Sequence, residues 1–182
     1  MNNQRMLELS VAGESALESL LQSGLRIVSK KKDEFIIAGY ASVDIIDLAH
    51  EEIPLTTLKD MIDRFMVAGY EVISYEHETP YPVGRVIKNY GEYKTQVDDI
   101  GLFIVAEIRG DTETGKRARA QIEGGEYASF SVHIEVLDSE EVCEKKQCYT
   151  RITKANLLEI SVVKEPANQA SHFKVIKKAK DA

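Results

Sequence analysis

Apolar residues recur along the chain with two different periods. Phe35-Ile36-Ile37-Ala38-Gly39-Tyr40-Ala41-Ser42-Val43 is rich in β-branched and aromatic residues and predicts a strand. So do Glu71–Tyr75, Val83–Asn89 and Gly101–Ile108. Between Tyr127 and Leu137 the alternation is regular. Ala128, Phe130, Val132, Ile134 and Val136 fall on one face; Tyr127, Ser129, Ser131, His133 and Glu135 fall on the other. Tyr149–Val163 is extended in character, with Leu158, Ile160 and Val162 on one face and Leu157, Glu159, Ser161 and Val163 on the other.

The helical period appears in shorter stretches. Leu58, Met61, Ile62, Phe65 and Met66 predict a helix over about 57–67, opened by a capping box at Thr57 and Asp60 and closed by Gly69. A second helix runs from Asp111 or Thr112 to about Glu123 and stops at Gly124-Gly125. A short one is expected over Glu14–Gln22. Many strands with two or three helices predict a mainly β (α+β) domain, a closed barrel-like sheet with the helices outside it.

A chain of 182 residues is one domain with arms. The expected division is an N-terminal extension over 1–32, a core domain over 33–169 and a basic tail over 170–182. The tail carries Lys174, Lys177, Lys178 and Lys180 and reads as a short helix or an unstructured end. With 43% apolar and 29% charged residues the chain can build a core. A net charge of −7 argues against a nucleic-acid coat. No apolar run reaches the ~18 residues of a membrane span, and the N-terminus lacks the continuous apolar stretch of a secretory signal. The expectation is a soluble intracellular protein. In that setting the two cysteines, Cys143 and Cys148, read as reduced thiols at a hairpin tip. With no HExxH, CxxC or glycine-rich phosphate loop, neither a metal nor a cofactor is predicted.

Three residues carry candidate chemistry. Ser131 sits mid-strand away from the apolar face, as an ordinary strand serine or as a nucleophile. His77 ends a strand and opens Glu78-Thr79-Pro80-Tyr81-Pro82, as a turn histidine or as a base held by the punctuated backbone. Glu159 lies inside an apolar strand, where a carboxylate needs a partner. A salt bridge and the orienting of a histidine both satisfy that need. His50 and His172 read as surface histidines. A weaker metal-hydrolase reading would use His50, Glu51, Glu52 and His77, which lack metal-site spacing.

Several motifs in order then resemble the caudovirus prohead proteases, capsid-maturation serine proteases related to herpesvirus assemblin. These are Ile37–Asp44 with Asp47; His77 with Pro82-Val83-Gly84-Arg85-Val86; and Gly101-Leu102 followed by Thr114-Gly115-Lys116-Arg117 and Gly125. Phe130-Ser131-Val132, and Leu158–Val163 with Pro166, Ala167 and Ala170, complete the set. The resemblance spans roughly residues 35–170. One departure is His133, where the family usually has glycine two positions after the serine.

The resemblance implies an assemblin-like fold and a serine endopeptidase with a Ser131–His77–Glu159 triad, without cofactor or metal. The backbone at Ala167 and Asn168 is the implied oxyanion-binding loop; Arg85 is a further candidate that spacing does not support. Implied substrates and partners are the major capsid protein, a scaffolding protein and the portal, with self-cleavage, a homodimer, and no nucleic-acid or membrane partner. The implied location is the assembling prohead in the host cytoplasm. The alternative is an inactive protease-fold scaffold or packaging adaptor, for which His133 is the best argument.

Overall fold

The computed structural model describes residues 33–68, 72–78, 82–144 and 147–178. The expected N-terminal extension and its helix, Gly69, Thr79–Tyr81 and the last four residues lie outside this set.

Eleven strands and two helices follow one another among the described residues. The strands are β1 (Phe35–Val43), β2 (Glu51–Glu52), β3 (Val72–Tyr75), β4 (Gly84–Ile87), β5 (Asn89–Tyr90), β6 (Tyr93–Lys94) and β7 (Gln96–Val97). They continue as β8 (Gly101–Ile108), β9 (Ser129–Glu144), β10 (Gln147–Val163) and β11 (Phe173–Lys177). Helix α1 is Leu55–Ala68 and α2 is Glu113–Glu123. The main sheet runs β11-β1-β8-β4-β3-β10-β2, with β7 on β8 and β9 along the other side of β10.

The predominance of strands agrees with the sequence, but the barrel is not closed. Among the described residues the sheet curls into a half-barrel whose ends meet at an isolated Ser129–His172 bridge and the bonds Phe130 N–H to Ser171 O (2.9 Å) and Phe173 N–H to Ala128 O (3.0 Å). A closed barrel needs a continuous ladder there. The long strands β9 and β10 instead pair with each other out to Glu144 and Gln147.

The core fills the hollow of the sheet. Leu58, Met61, Ile62 and Phe65 of α1 pack with Leu102, Ile104, Ile152 and Ile160. Helix α1 starts two residues earlier than its sequence signal. The Asp44 carboxylate accepts from Leu55 N–H (3.2 Å), and the Thr57 hydroxyl, expected as a cap, donates to Thr153 O (3.1 Å). Helix α2 starts as expected, with Thr112 Oγ1 accepting from Gly115 N–H at 3.1 Å. Its Arg119 donates to Ile108 O and to the Asp33 carboxylate (2.6 Å), tying the helix to the entry into β1.

Two further expectations change. Cys143 and Cys148 face each other across the β9–β10 pair and are joined as a disulfide rather than standing as free thiols. Part of the supposed basic tail is β11, antiparallel to β1. Gly39 makes that pairing possible, because a Cβ there would lie 2.1 Å from His172 O and 2.5 Å from Phe173 Cα. Backbone cannot yield as a flexible side chain can, so Gly39→Ala should pry β11 from β1 and cost about 2–4 kcal/mol. Chemical denaturation reads this directly; an unchanged midpoint would show that β11 is not held so closely.

Candidate active site

The site grows from the direction of β3. This strand runs parallel to β10, with Ile73, Ser74 and Tyr75 opposite Ile160, Ser161 and Val162. Beyond Tyr75 the chain turns sharply, and Glu78 N–H donates to Tyr75 O at 2.8 Å. Glu76 and His77, the central residues of the turn, have φ of 49° and 63°. Left-handed backbone at non-glycine residues costs about 1–3 kcal/mol each and persists only where its surroundings enforce it. Here three hydrogen bonds do so: Glu76 N–H to Val162 O (3.1 Å), Lys164 N–H to Glu76 Oε1 (3.2 Å) and His77 N–H to Ser161 Oγ (2.9 Å).

The turn carries the His77 ring over β10, where Nδ1 bonds Glu159 Oε1. Glu159 is 2% exposed. Its second oxygen accepts from the Ser161 hydroxyl at 2.9 Å. Ser74, fully buried on β3, adds a nearby hydroxyl that makes no hydrogen bond. Burial pushes the Glu159 carboxyl up, but the bonds from His77 and Ser161, with the Ser74 hydroxyl close by, more than offset this and hold it below its ordinary value. The bond to Glu159 in turn raises His77 above the usual 6.5, against the smaller opposing effect of burial.

Simple alternation misplaces the neighbours of this acid. A bulge between Leu157 and Glu159 breaks the register: Leu157 pairs with Ile134 and Glu159 with His133. Leu157 therefore joins the core, while Leu158 is 49% exposed. The strand face that carries Glu159 is covered as well, since Glu159, Ser161 and Val163 are all buried.

Ser131 is half-buried on β9, directly opposite Ser161. Pairing across β9, β10 and β3 thus aligns Ser131, Ser161 and Ser74 in one row beside the Glu159–His133 pair. His133 meets the His77 ring edge-on, with centroids 5.9 Å apart. Ser129 lies elsewhere, opposite Val163, 3% exposed and bonded through Oγ to His172 Nδ1 at 2.9 Å. Ala167 and Asn168 line a cavity of about 110 Å³ together with Ser131, Ala41, Ser42 and Val132. The Asn168 amide donates to Val43 O (2.7 Å), which fixes this loop against the end of β1.

Other candidates do not gather here. Arg85 is paired with Glu107 (2.8 Å) and Glu52 with Arg151 (2.5 Å). Among the described residues, ligand atoms within metal-site reach of one another belong to His77, His133 and Glu159, not to the set with His50, Glu51 and Glu52. Sequence reasoning gave Ser161 no role. Its signal was a second polar residue two positions after a strand carboxylate.

A sequence profile of the caudovirus prohead serine proteases matches residues 24–182. The chain belongs to this family. Comparison with curated proteins yields no match. Family membership makes the chain a prohead serine protease of capsid maturation.

In this protease the protonated form of His77 is favoured in the fold. Its contribution to stability is present below pH 6.5 and is lost as pH rises through the higher folded-state value. An NMR titration of the His77 ring should give a midpoint above 6.5, and Glu159→Gln should lower it. A midpoint unchanged by Glu159→Gln would mean the carboxylate does not govern this histidine.

Proposed function

We propose that Ser131, His77 and Glu159 are the triad of this endopeptidase. The observation that carries the reading is the bond from the His77 imidazole to the buried Glu159 carboxylate, beside the strand position opposite Ser131. With Nδ1–H donated to Glu159, Nε2 is the acceptor that takes the proton from Ser131 Oγ as the oxygen attacks the scissile carbonyl. The same nitrogen returns the proton to the leaving amine, and Glu159 stabilises the intervening imidazolium. Main-chain groups of Ala167 and Asn168 are the proposed donors to the oxyanion, supported by the cavity they share with Ser131.

The substrates in this reading are scaffold segments and capsid precursors, with the major capsid protein, a scaffolding protein and the portal as partners inside the assembling prohead in the host cytoplasm. Self-cleavage acts on the terminal segments, and pairing as a homodimer belongs to the same reading. Among the described residues no helix is long and apolar enough to cross a membrane.

Co-expression with scaffold and capsid precursors tests the assignment. Ser131→Ala and His77→Ala should fold and abolish cleavage, whereas Ser129→Ala and His133→Gly should retain it. Glu159→Gln should slow turnover by up to about 10⁴, chiefly through the wrong tautomer. Combined with His77→Ala it should add little, because members of one catalytic unit are not additive. Full cleavage by Ser131→Ala would remove the triad, and an inert wild type would favour the scaffold or adaptor alternative.

Self-processing makes a separate prediction. The intact mass of the wild-type protein should fall short of that of Ser131→Ala by terminal fragments. Equal masses after prolonged incubation would exclude it.

A further inference from the structure

His133 stands opposite Glu159 in the β9–β10 ladder and edge-on to His77. One ligand atom from each of His77, His133 and Glu159 lies within 4.8 Å of the others. Two exposed imidazoles thus converge on one buried carboxylate. Resting on the triad reading, we propose that these three residues bind a zinc-like divalent cation that switches the protease off.

The donor set fixes the class of ion. Two nitrogens and one oxygen suit Zn²⁺ and its late first-row neighbours, whereas Mg²⁺ and Ca²⁺ take oxygen ligands. Tetrahedral zinc with bonds of about 2.0–2.2 Å spaces its ligands roughly 3.3–3.5 Å apart, so gaps of up to 4.8 Å must close while the direct His77–Glu159 hydrogen bond gives way to bonds to the ion. His133 supplies that movement. It is exposed on β9, whereas Glu159 is buried and His77 is held by its turn. The fourth position is left for water. A cation held there engages the histidine and the carboxylate that proton transfer from Ser131 requires. Occupancy and catalysis therefore exclude each other, and removing the ion restores the enzyme with no covalent change.

The test separates binding from activity. Calorimetric titration of the full-length Ser131→Ala variant with zinc chloride should show one equivalent bound, and His133→Gly in that background should weaken it by at least about tenfold. The ring resonances of His77 and His133 should respond to zinc, while those of His50 and His172 should not. Replacing both cysteines by serine should leave binding unchanged. In the wild type, zinc should inhibit cleavage, a chelator should reverse this, and His133→Gly should be correspondingly less sensitive. Binding that survives His133→Gly, or that moves with the cysteines or with His50, overturns the site; stimulation of cleavage by zinc overturns the inhibitory role. Normal zinc binding by a wild type that cleaves no precursor supports the site and counts against the protease reading alone.

Discussion

A carboxylate buried inside a β-strand sets the terms for everything around it. Taking Glu159 out of water costs several kcal/mol unless charge and hydrogen bonds replace the lost hydration. The replacing hydrogen bonds come from the His77 ring and the Ser161 hydroxyl, and the unbonded Ser74 hydroxyl adds a dipole close by. Each has its own structural requirement. Ser161 lies two residues on along the same strand. Ser74 needs β3 beside β10. His77 needs the chain to reverse over Ser161 through two left-handed residues. The parallel pairing of β3 with β10 is therefore a condition of the site, because only in that direction does β3 end where its turn can fold back over the acid.

The sequence made the elements legible where a single physical rule governed them. Alternation and β-branching placed β1, β8, β9 and β10, and the Thr112 cap with the Gly124-Gly125 stop placed α2. It failed where distant parts of the chain decide local structure. Thr57 looks like a cap from its neighbours, but Thr153 captures its hydroxyl. The C-terminal lysines obscure β11, although Gly39 inside an apolar strand already marked a close backbone approach from elsewhere. Cys143 and Cys148 read as thiols from the compartment expected for the chain; their facing positions come from a strand register that spacing alone does not supply. At the site, Glu159 stood out as a carboxylate inside an apolar strand and His77 by its punctuated turn, whereas Ser131 looked like an ordinary strand serine. Their mutual placement came only from the resemblance, and the support from Ser161 was not visible because a strand serine is unremarkable until its partners are known.

The bulge at Leu158 bears on how such a chain changes over time. Because Leu157 pairs with Ile134 and Glu159 with His133, the residue between them has no partner in the ladder. Losing it would leave both pairs, and the face of the acid, as they are. A second residue inserted at the same place would have to be extruded or would turn Glu159 to the opposite face. Strand length just ahead of the acid is thus free to shrink by one residue but not to grow. An alignment of related chains should accommodate a one-residue gap here, and a motif of rigid spacing drawn across this point would miss true members.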